Sequence, residues 1–156
     1  MSIKLPFLHF LNTLIHILSF SYVLGSLIFF NLVTPSIKNE DKKNSVKLIY
    51  KFTNFLPFFL LVSVATNIIY ILLDESFLTI LRKNSNIQVL TIIYILFFFT
   101  FILLALYLQR KVDKLLKINI FSLIEREWKR IRIDLSVLLE FEIVIVIVET
   151  LILYFK

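Results

Sequence analysis

The sequence predicts an all-α fold, an integral membrane four-helix bundle with a cytoplasmic amphipathic helix before the fourth span. Three observations support this prediction. The 156 residues are 59% hydrophobic and include 17 phenylalanines, which is too apolar for an ordinary soluble domain. Four segments reach the roughly 20 apolar residues that cross a bilayer. The basic residues gather between these segments, as in loops that face the cytoplasm.

The chain is predicted to form a single transmembrane domain, residues 1–156, with spans at residues 8–33, 54–73, 88–108 and 136–155. Pro35 should end the first span, because proline cannot continue a helix without losing a backbone hydrogen bond. Pro57 is expected in the first turn of the second span, where proline is tolerated, with Thr53 and Asn54 as candidate N-terminal caps.

The connecting segments predict an orientation. Residues 34–53 carry five Lys or Arg and residues 109–135 carry eight, whereas the segments on the other side carry four in total. Positive charge concentrates on the cytoplasmic side of membrane proteins. We therefore expect both basic loops in the cytoplasm and both termini outside, in the cell membrane. The basic residues then suit anionic lipid headgroups, and nucleic-acid binding is not expected.

The second basic loop contains an amphipathic stretch, residues 118–135. Apolar residues recur there at steps of three or four: Ile120, Ile124, Trp128, Ile131 and Leu135. Basic residues occupy the other faces: Arg126, Lys129, Arg130 and Arg132. This pattern predicts an interfacial helix that lies in the headgroup region with Trp128 as its anchor. A docking helix for a cytoplasmic partner is the alternative.

The first span is predicted to have two distinct faces. One face carries polar residues at steps of three, four and three: His9, Asn12, His16 and Ser19. Because polar groups that face lipid are costly, this stripe should face the bundle interior or another subunit. On the far side, Ser21 and Gly25 form a small-xxx-small pair, which predicts a close helix contact.

The other spans provide polar residues at the depth of His16, about four residues outward from the middle of each span: Asn67, Tyr94 and Glu149. An ionisable carboxyl in hydrocarbon needs a partner, so His16 and Glu149 are expected to share a polar site. Glu142 lies one heptad toward the cytoplasm on the face of Glu149. Glu140 points elsewhere, close to the cytoplasmic interface.

This polar layer has three interpretations. It is a hydrogen-bonded clamp that fixes helix packing, a site for haem, a metal or a quinone, or a proton or ion path. The candidate cofactor-binding residues are His16, His9, Glu149, Asn67 and Tyr94. His9 and His16 are about 10.5 Å apart along one helix, so they cannot both ligate one iron. A bis-histidine haem b would need a second copy or a partner protein.

His16, Gly25 nine positions later, and Pro35 after an apolar run form a pattern that resembles the first span of the copper-resistance protein D (CopD) family. The basic segment KLIYKFTNF follows, as in that family. The HemJ-type protoporphyrinogen oxidases share a histidine in their first span. The resemblance implies a membrane bundle associated with haem or a metal or, for the HemJ type, porphyrinogen oxidation.

The absence of cysteine excludes disulfides, thiolate metal sites and cysteine nucleophiles. Phosphate-binding and hydrolase motifs are also absent, so an enzymatic function rests on the resemblance alone. We expect a small membrane protein that acts as a binding or accessory subunit, in contact with lipid and within a homodimer or a larger membrane complex. A membrane redox enzyme is the alternative, and a small transporter is the second alternative.

Overall fold

Four long helices form an antiparallel bundle in a computed structural model of the chain, which describes residues 4–38, 41–73, 79, 84–118 and 121–154. They are α1 (Lys4–Val33), α2 (Lys42–Leu73), α3 (Ser85–Ile118) and α4 (Phe121–Tyr154). Each helix packs on the next, and α4 also packs on α1, which closes the bundle. These ranges contain no strand. The predicted all-α four-helix bundle is confirmed.

Pro35 ends α1 as predicted. The helix stops at Val33, and a single 3₁₀ turn, Thr34–Ser36, follows with the proline in its first positions. The backbone of Ile37 is then extended, with φ −75° and ψ 122°, and its N–H donates to the Thr34 carbonyl oxygen at 3.5 Å. The first connection therefore begins directly at the end of the predicted span.

Three helices extend well beyond the predicted spans. α2 begins at Lys42 rather than near residue 54, α3 continues to Ile118, and α4 begins at Phe121. At 1.5 Å per residue, a 34-residue helix is about 51 Å long, whereas the hydrocarbon core of a bilayer is about 30 Å thick. The regions expected to be basic loops are therefore mostly helical.

Pro57 lies inside α2, so its predicted position in the first turn of a helix is wrong. Thr53 and Asn54 consequently do not cap a helix. The Thr53 hydroxyl donates to the Tyr50 carbonyl oxygen at 3.0 Å, and Asn54 Oδ1 accepts a hydrogen bond from Gln109 Nε2 at 2.9 Å. Membrane helices tolerate an internal proline where side chains and neighbouring helices compensate for the missing bond.

The helical extensions form what we call the basic end of the bundle: residues 42–53 of α2, 109–118 of α3 and 121–135 of α4. This end has its own apolar core, in which each side chain is at most 5% exposed: Val46, Ile49, Val112, Leu115, Ile124, Trp128 and Ile131. The thirteen basic residues expected in the loops lie in or next to this end. It is therefore a packed helical structure with a charged exterior.

The predicted interfacial helix is the first part of α4, which continues without a break into the fourth apolar segment. The predicted contact of its apolar stripe with lipid headgroups is wrong, because Trp128 is only 5% exposed and belongs to the core. The stripe faces inward because α2 and α3 extend to the same end and offer apolar side chains of their own. Ile120 lies outside the described residues. The basic residues do lie away from the core, half-buried or exposed: Arg126, Lys129, Arg130 and Arg132.

The rest of the bundle comprises residues 4–33 of α1, 54–73 of α2, 85–108 of α3 and 136–154 of α4 and is here called the apolar half. Its outer surface is apolar. Large side chains there are more than half exposed: Phe10, Leu18, Phe58, Leu61, Phe99, Leu103 and Ile147. Soluble monomers rarely expose contiguous apolar surface on this scale. Within the described ranges, three segments are long and apolar enough to span a membrane: Phe10–Ser36, Lys42–Ile69 and Ser85–Lys117. These features indicate a membrane protein. α4 is not among these segments, and its apolar half contains three glutamates.

Ser21 and Gly25 do not form a close helix contact within the chain, so this prediction is wrong. Both residues are exposed, and a Cβ atom on Gly25 would meet no heavy atom within 4 Å. α1 contacts α2 through aromatic rings instead, since Tyr22 and Phe59 stack with ring centroids 4.0 Å apart. The small residues lie beside this contact and face outward.

Replacement of Gly25 by Leu should leave the melting temperature in detergent essentially unchanged, because the new side chain enters open space. The matched control is Ala105→Leu at a site that is 2% exposed. Overpacking there should lower the free energy of unfolding by about 1–3 kcal/mol. Thermal unfolding followed by circular dichroism measures both effects. Similar losses in the two variants would show that the Gly25 face is packed.

Candidate functional site

The polar stripe of α1 faces the interior of the apolar half, as predicted. Asn12 is 8% exposed and Ser19 is 3% exposed, and the side chain of His16 is 20% exposed. The Ser19 hydroxyl donates to the Ile15 carbonyl oxygen at 2.9 Å, one turn earlier in the same helix. The side chain of His9 lies outside the described residues. Among the described members of the stripe, Asn12 and His16 reach other helices.

His16 links α1 to two other helices. Its Nε2 lies 3.2 Å from Glu149 Oε1 on α4, and its Nδ1 lies 3.0 Å from Thr66 Oγ1 on α2. Both ring nitrogens are therefore engaged. The expected polar site of His16 and Glu149 is confirmed by this geometry.

The hydrogen-bond network assigns one proton to His16 Nδ1. The hydroxyl of Thr66 has a single hydrogen, which it donates to the Ser63 carbonyl oxygen at 2.8 Å. The hydroxyl therefore accepts its second hydrogen bond from Nδ1–H. The 3.2 Å contact between His16 Nε2 and Glu149 Oε1 is attractive when one further proton lies between the two atoms. With the proton on nitrogen the contact is an imidazolium–carboxylate ion pair, and with the proton on oxygen a neutral imidazole accepts from a neutral acid.

Thr66 is a central residue that the sequence analysis missed. It is 5% exposed, and its carbonyl oxygen also accepts a hydrogen bond from Asn12 Nδ2 at 2.9 Å. In the sequence, its position next to Asn67 was the one indication that Thr66 belongs to the polar layer. This indication is weak because a threonine hydroxyl in a helix often donates its hydrogen bond to a carbonyl of the same helix. Other threonines of the apolar half bond in that way: Thr91, Thr100 and Thr150.

Asn67 and Tyr94 form the second pair of the layer. Asn67 Nδ2 donates to the Tyr94 hydroxyl oxygen at 2.7 Å and so links α2 to α3. Together with His16 and Glu149, this pair extends the layer across the whole bundle. The structure thus brings the predicted residues together as two hydrogen-bonded pairs. A cofactor-binding role for them remains a prediction.

Glu142 is a buried carboxyl one heptad from Glu149, toward the basic end. It is 4% exposed and makes no hydrogen bond or ion pair with another described residue. It lies within electrostatic reach of Glu149 and His16 and therefore adds a further ionisable side chain to the polar layer. Glu140 differs in position: it is exposed and lines a surface cleft together with Lys129.

A second polar layer lies where the apolar half meets the basic end. Asn31 Nδ2 donates to the Leu135 carbonyl oxygen at 3.1 Å, and Asn31 Oδ1 accepts from the Ser136 hydroxyl at 2.6 Å. Lys111 Nζ pairs with Asp134 Oδ2 at 2.7 Å. These contacts bind α1 and α3 to α4. The sequence analysis assigned several of these residues to loops and therefore could not pair them.

The polar layer fits a metal or haem poorly. Within the part of the chain that the structure describes, no three His, Asp or Glu side chains are grouped to hold a metal ion. An iron bound to His16 would have to displace either Thr66 or Glu149 from the ring.

Protein-family models, curated proteins and solved structures were also compared with the chain, and none matched. What the site does has to be inferred from its own geometry.

A double-mutant cycle on His16 and Glu149 should reveal their coupling. The substitutions His16→Ala and Glu149→Ala should each destabilise the protein, and the double variant should lose less than the sum of the two. The expected interaction energy is about 0.5–2 kcal/mol, typical of hydrogen bonds within a membrane. Chemical unfolding in detergent micelles measures it. The control cycle pairs Glu149→Ala with Asn31→Ala, since Asn31 is about 22 Å from His16 along α1. Strict additivity in both cycles would contradict the pairing.

Proposed function

We propose that this chain is a small integral membrane protein that acts as a binding or accessory subunit, and that the ligand of its interior site is the proton. The observation that supports the proposal most strongly is the contact of His16 with both Thr66 and Glu149. The proton between His16 Nε2 and Glu149 determines how α1 and α4 are held together at this point, while Nδ1 keeps the same ring bonded to Thr66 on α2. A change in the protonation of the pair therefore changes the contact between α1 and α4.

The number of protons on His16 and Glu149 determines whether the two side chains attract or repel each other. With one shared proton, His16 and Glu149 attract each other in either tautomeric arrangement. Loss of that proton leaves a nitrogen lone pair facing a carboxylate oxygen at 3.2 Å, which is repulsive. Gain of a second proton leaves an imidazolium beside a neutral acid and adds a charge to a low-dielectric interior. In the part of the chain that the structure describes, Glu142 on α4 and Tyr94 on α3 are the other titratable groups close to the pair.

The alternative functions need features that are less well supported. Binding of haem or a metal requires that His16 give up a present partner. Transport commonly uses discontinuous helices at the midplane, whereas the helices are continuous over the ranges described here. Proton binding requires no loss of the contacts that His16 makes with Thr66 and Glu149. Association as a homodimer or with a larger complex remains a prediction.

We further propose that all four helices cross the membrane, with the basic end in the cytoplasm and both termini outside. α4 runs antiparallel to α3 and packs along it, so the two helices share a depth. The glutamates of α4 are accommodated within this topology. Glu142 is buried, Glu149 faces His16, and Glu140 lies near the polar layer at the basic end. Beyond Glu140, the exposed side chains of α4 are mostly apolar, including Ile143, Ile147 and Leu151.

Single cysteines in the naturally cysteine-free chain test the orientation. Ser85 and Ser122 are both exposed and lie near the first residues of α3 and α4, at opposite ends of the bundle. A membrane-impermeant maleimide applied to intact cells should label Ser85→Cys and should label Ser122→Cys only after permeabilisation. The pair forms its own matched control. Labelling of Ser122→Cys in intact cells would refute the proposed orientation.

Infrared spectroscopy of the reconstituted protein tests proton binding directly. Glu142 should give the carbonyl stretch of a protonated carboxyl, since it is buried without an ion-pair partner among the described residues, and Glu142→Gln should remove that band. The proton that His16 and Glu149 share should give bands that change when the pair gains or loses a proton. Glu149→Gln should remove the carboxyl contribution to this change and leave the imidazole contribution of His16. The control Glu140→Gln, an exposed carboxyl two residues from Glu142, should alter neither signal.

Two outcomes would contradict this function. The first is a spectrum without any pH-dependent carboxyl or imidazole band in the wild-type protein. The second is a Soret absorption band in the purified protein that His16→Ala removes, which would favour haem binding. A visible absorption spectrum of the same sample provides the second measurement.

A further inference from the structure

A cleft of about 540 Å³ opens between α1 and α2 on the outer surface of the bundle. Small residues of α1 line it, and aromatic rings from both helices flank it, including Phe29 and Phe55. Gly25 has open space before it, since an added Cβ would touch nothing within 4 Å. At the basic end, Lys51 completes the lining. The cleft is therefore apolar along its length and cationic at one end.

The length of the cleft matches one leaflet of a bilayer. Its α1 lining runs from Ser21 to Phe30, which corresponds to about 13 Å along the helix axis. One leaflet of a hydrocarbon core about 30 Å thick has a depth of about 15 Å. Lys51 lies on the part of α2 that belongs to the basic end, where lipid headgroups would lie. A lipid chain that filled the cleft would thus bring its headgroup to this lysine.

The charge at the mouth of the cleft favours an anionic headgroup. Lys51 is exposed and forms no ion pair with any other residue in the described ranges. Lys47 lies one turn away on the same face of α2, is also exposed and is likewise without an ion pair there. Lipid phosphates and anionic headgroups are attracted to such juxtamembrane lysines.

A second copy of the chain fits the cleft less well. A symmetric dimer with its axis along the membrane normal would bring the same residues of both copies together at one depth. Lys51 would then approach Lys51 of the other copy, and the like charges would repel. A lipid with a negative headgroup has the complementary charge.

We propose that this cleft binds one anionic phospholipid from the leaflet on the side of the basic end. An acyl chain lies over Gly25 between Phe29 and Phe55, and the phosphate contacts Lys51. This site is separate from the polar layer, so its test is independent of the proposed proton binding.

Native mass spectrometry of the full-length protein, with phosphatidylglycerol or phosphatidylcholine of identical acyl chains, tests the proposal. The wild-type protein should retain one phosphatidylglycerol in preference to phosphatidylcholine. Lys51→Gln should reduce the retention of phosphatidylglycerol about fivefold, the factor expected for one lysine near a headgroup. Gly25→Leu should reduce retention of both lipids because it fills the cleft. Ser21→Leu blocks the far end of the cleft and should have a similar effect.

Two control variants separate this site from general lipid contact. Ala65→Leu enlarges an exposed residue elsewhere on α2, and Lys117→Gln removes an exposed lysine of the basic end outside the cleft. Both should retain phosphatidylglycerol like the wild-type protein. Equal retention by Gly25→Leu and Ala65→Leu, or no preference for phosphatidylglycerol, would overturn the proposal. A dimer mass that Gly25→Leu abolishes would show instead that a second copy occupies the cleft.

Discussion

A polar group in hydrocarbon has to find its partner inside the protein, and this constraint organises the bundle. His16, Thr66 and Glu149 satisfy one another across three helices, and Tyr94 is tied to α2 through Asn67. Because each of these contacts joins different helices, they fix the relative depth and rotation of the helices. Apolar contacts alone would define that register less sharply, since one leucine can replace another along a helix face. Glu142 is the exception, because it is buried among these groups without a described partner.

The sequence predicts correctly those features in which the chemistry of a residue allows few structural environments. An ionisable Glu149 in a long apolar segment needs a partner, and His16 has the matching depth. Pro35 cannot continue a helix, so the end of α1 was predictable. Thr66 was not predictable, because a hydroxyl in a helix can satisfy itself locally. Only the tertiary arrangement shows that its hydroxyl also accepts from His16.

The errors have a common physical origin. The sequence predicts loops and an interfacial helix in the basic segments because its pattern does not state which surface covers an apolar stripe. The same periodicity of apolar residues would place Trp128 against lipid or against protein. Because α2 and α3 are long enough to reach the basic end, Trp128 packs against protein. The spacing of Ser21 and Gly25 likewise permits close packing without requiring it. Tyr22 on the same helix meets Phe59 beside the pair and makes the contact instead.

The continuity of α4 has a mechanical consequence. A single helix joins Glu149, in the part of the apolar half far from the basic end, to Phe121 at the tip of the basic end. The two residues are about 42 Å apart along the helix axis. Because the helix is continuous over this length, a small tilt near Glu149 becomes a displacement of several ångströms at the tip. The tight core around Trp128 would transmit that displacement to α2 and α3 together. A movement too small to disturb the lipid-facing surface could thus be amplified at the far end of the molecule.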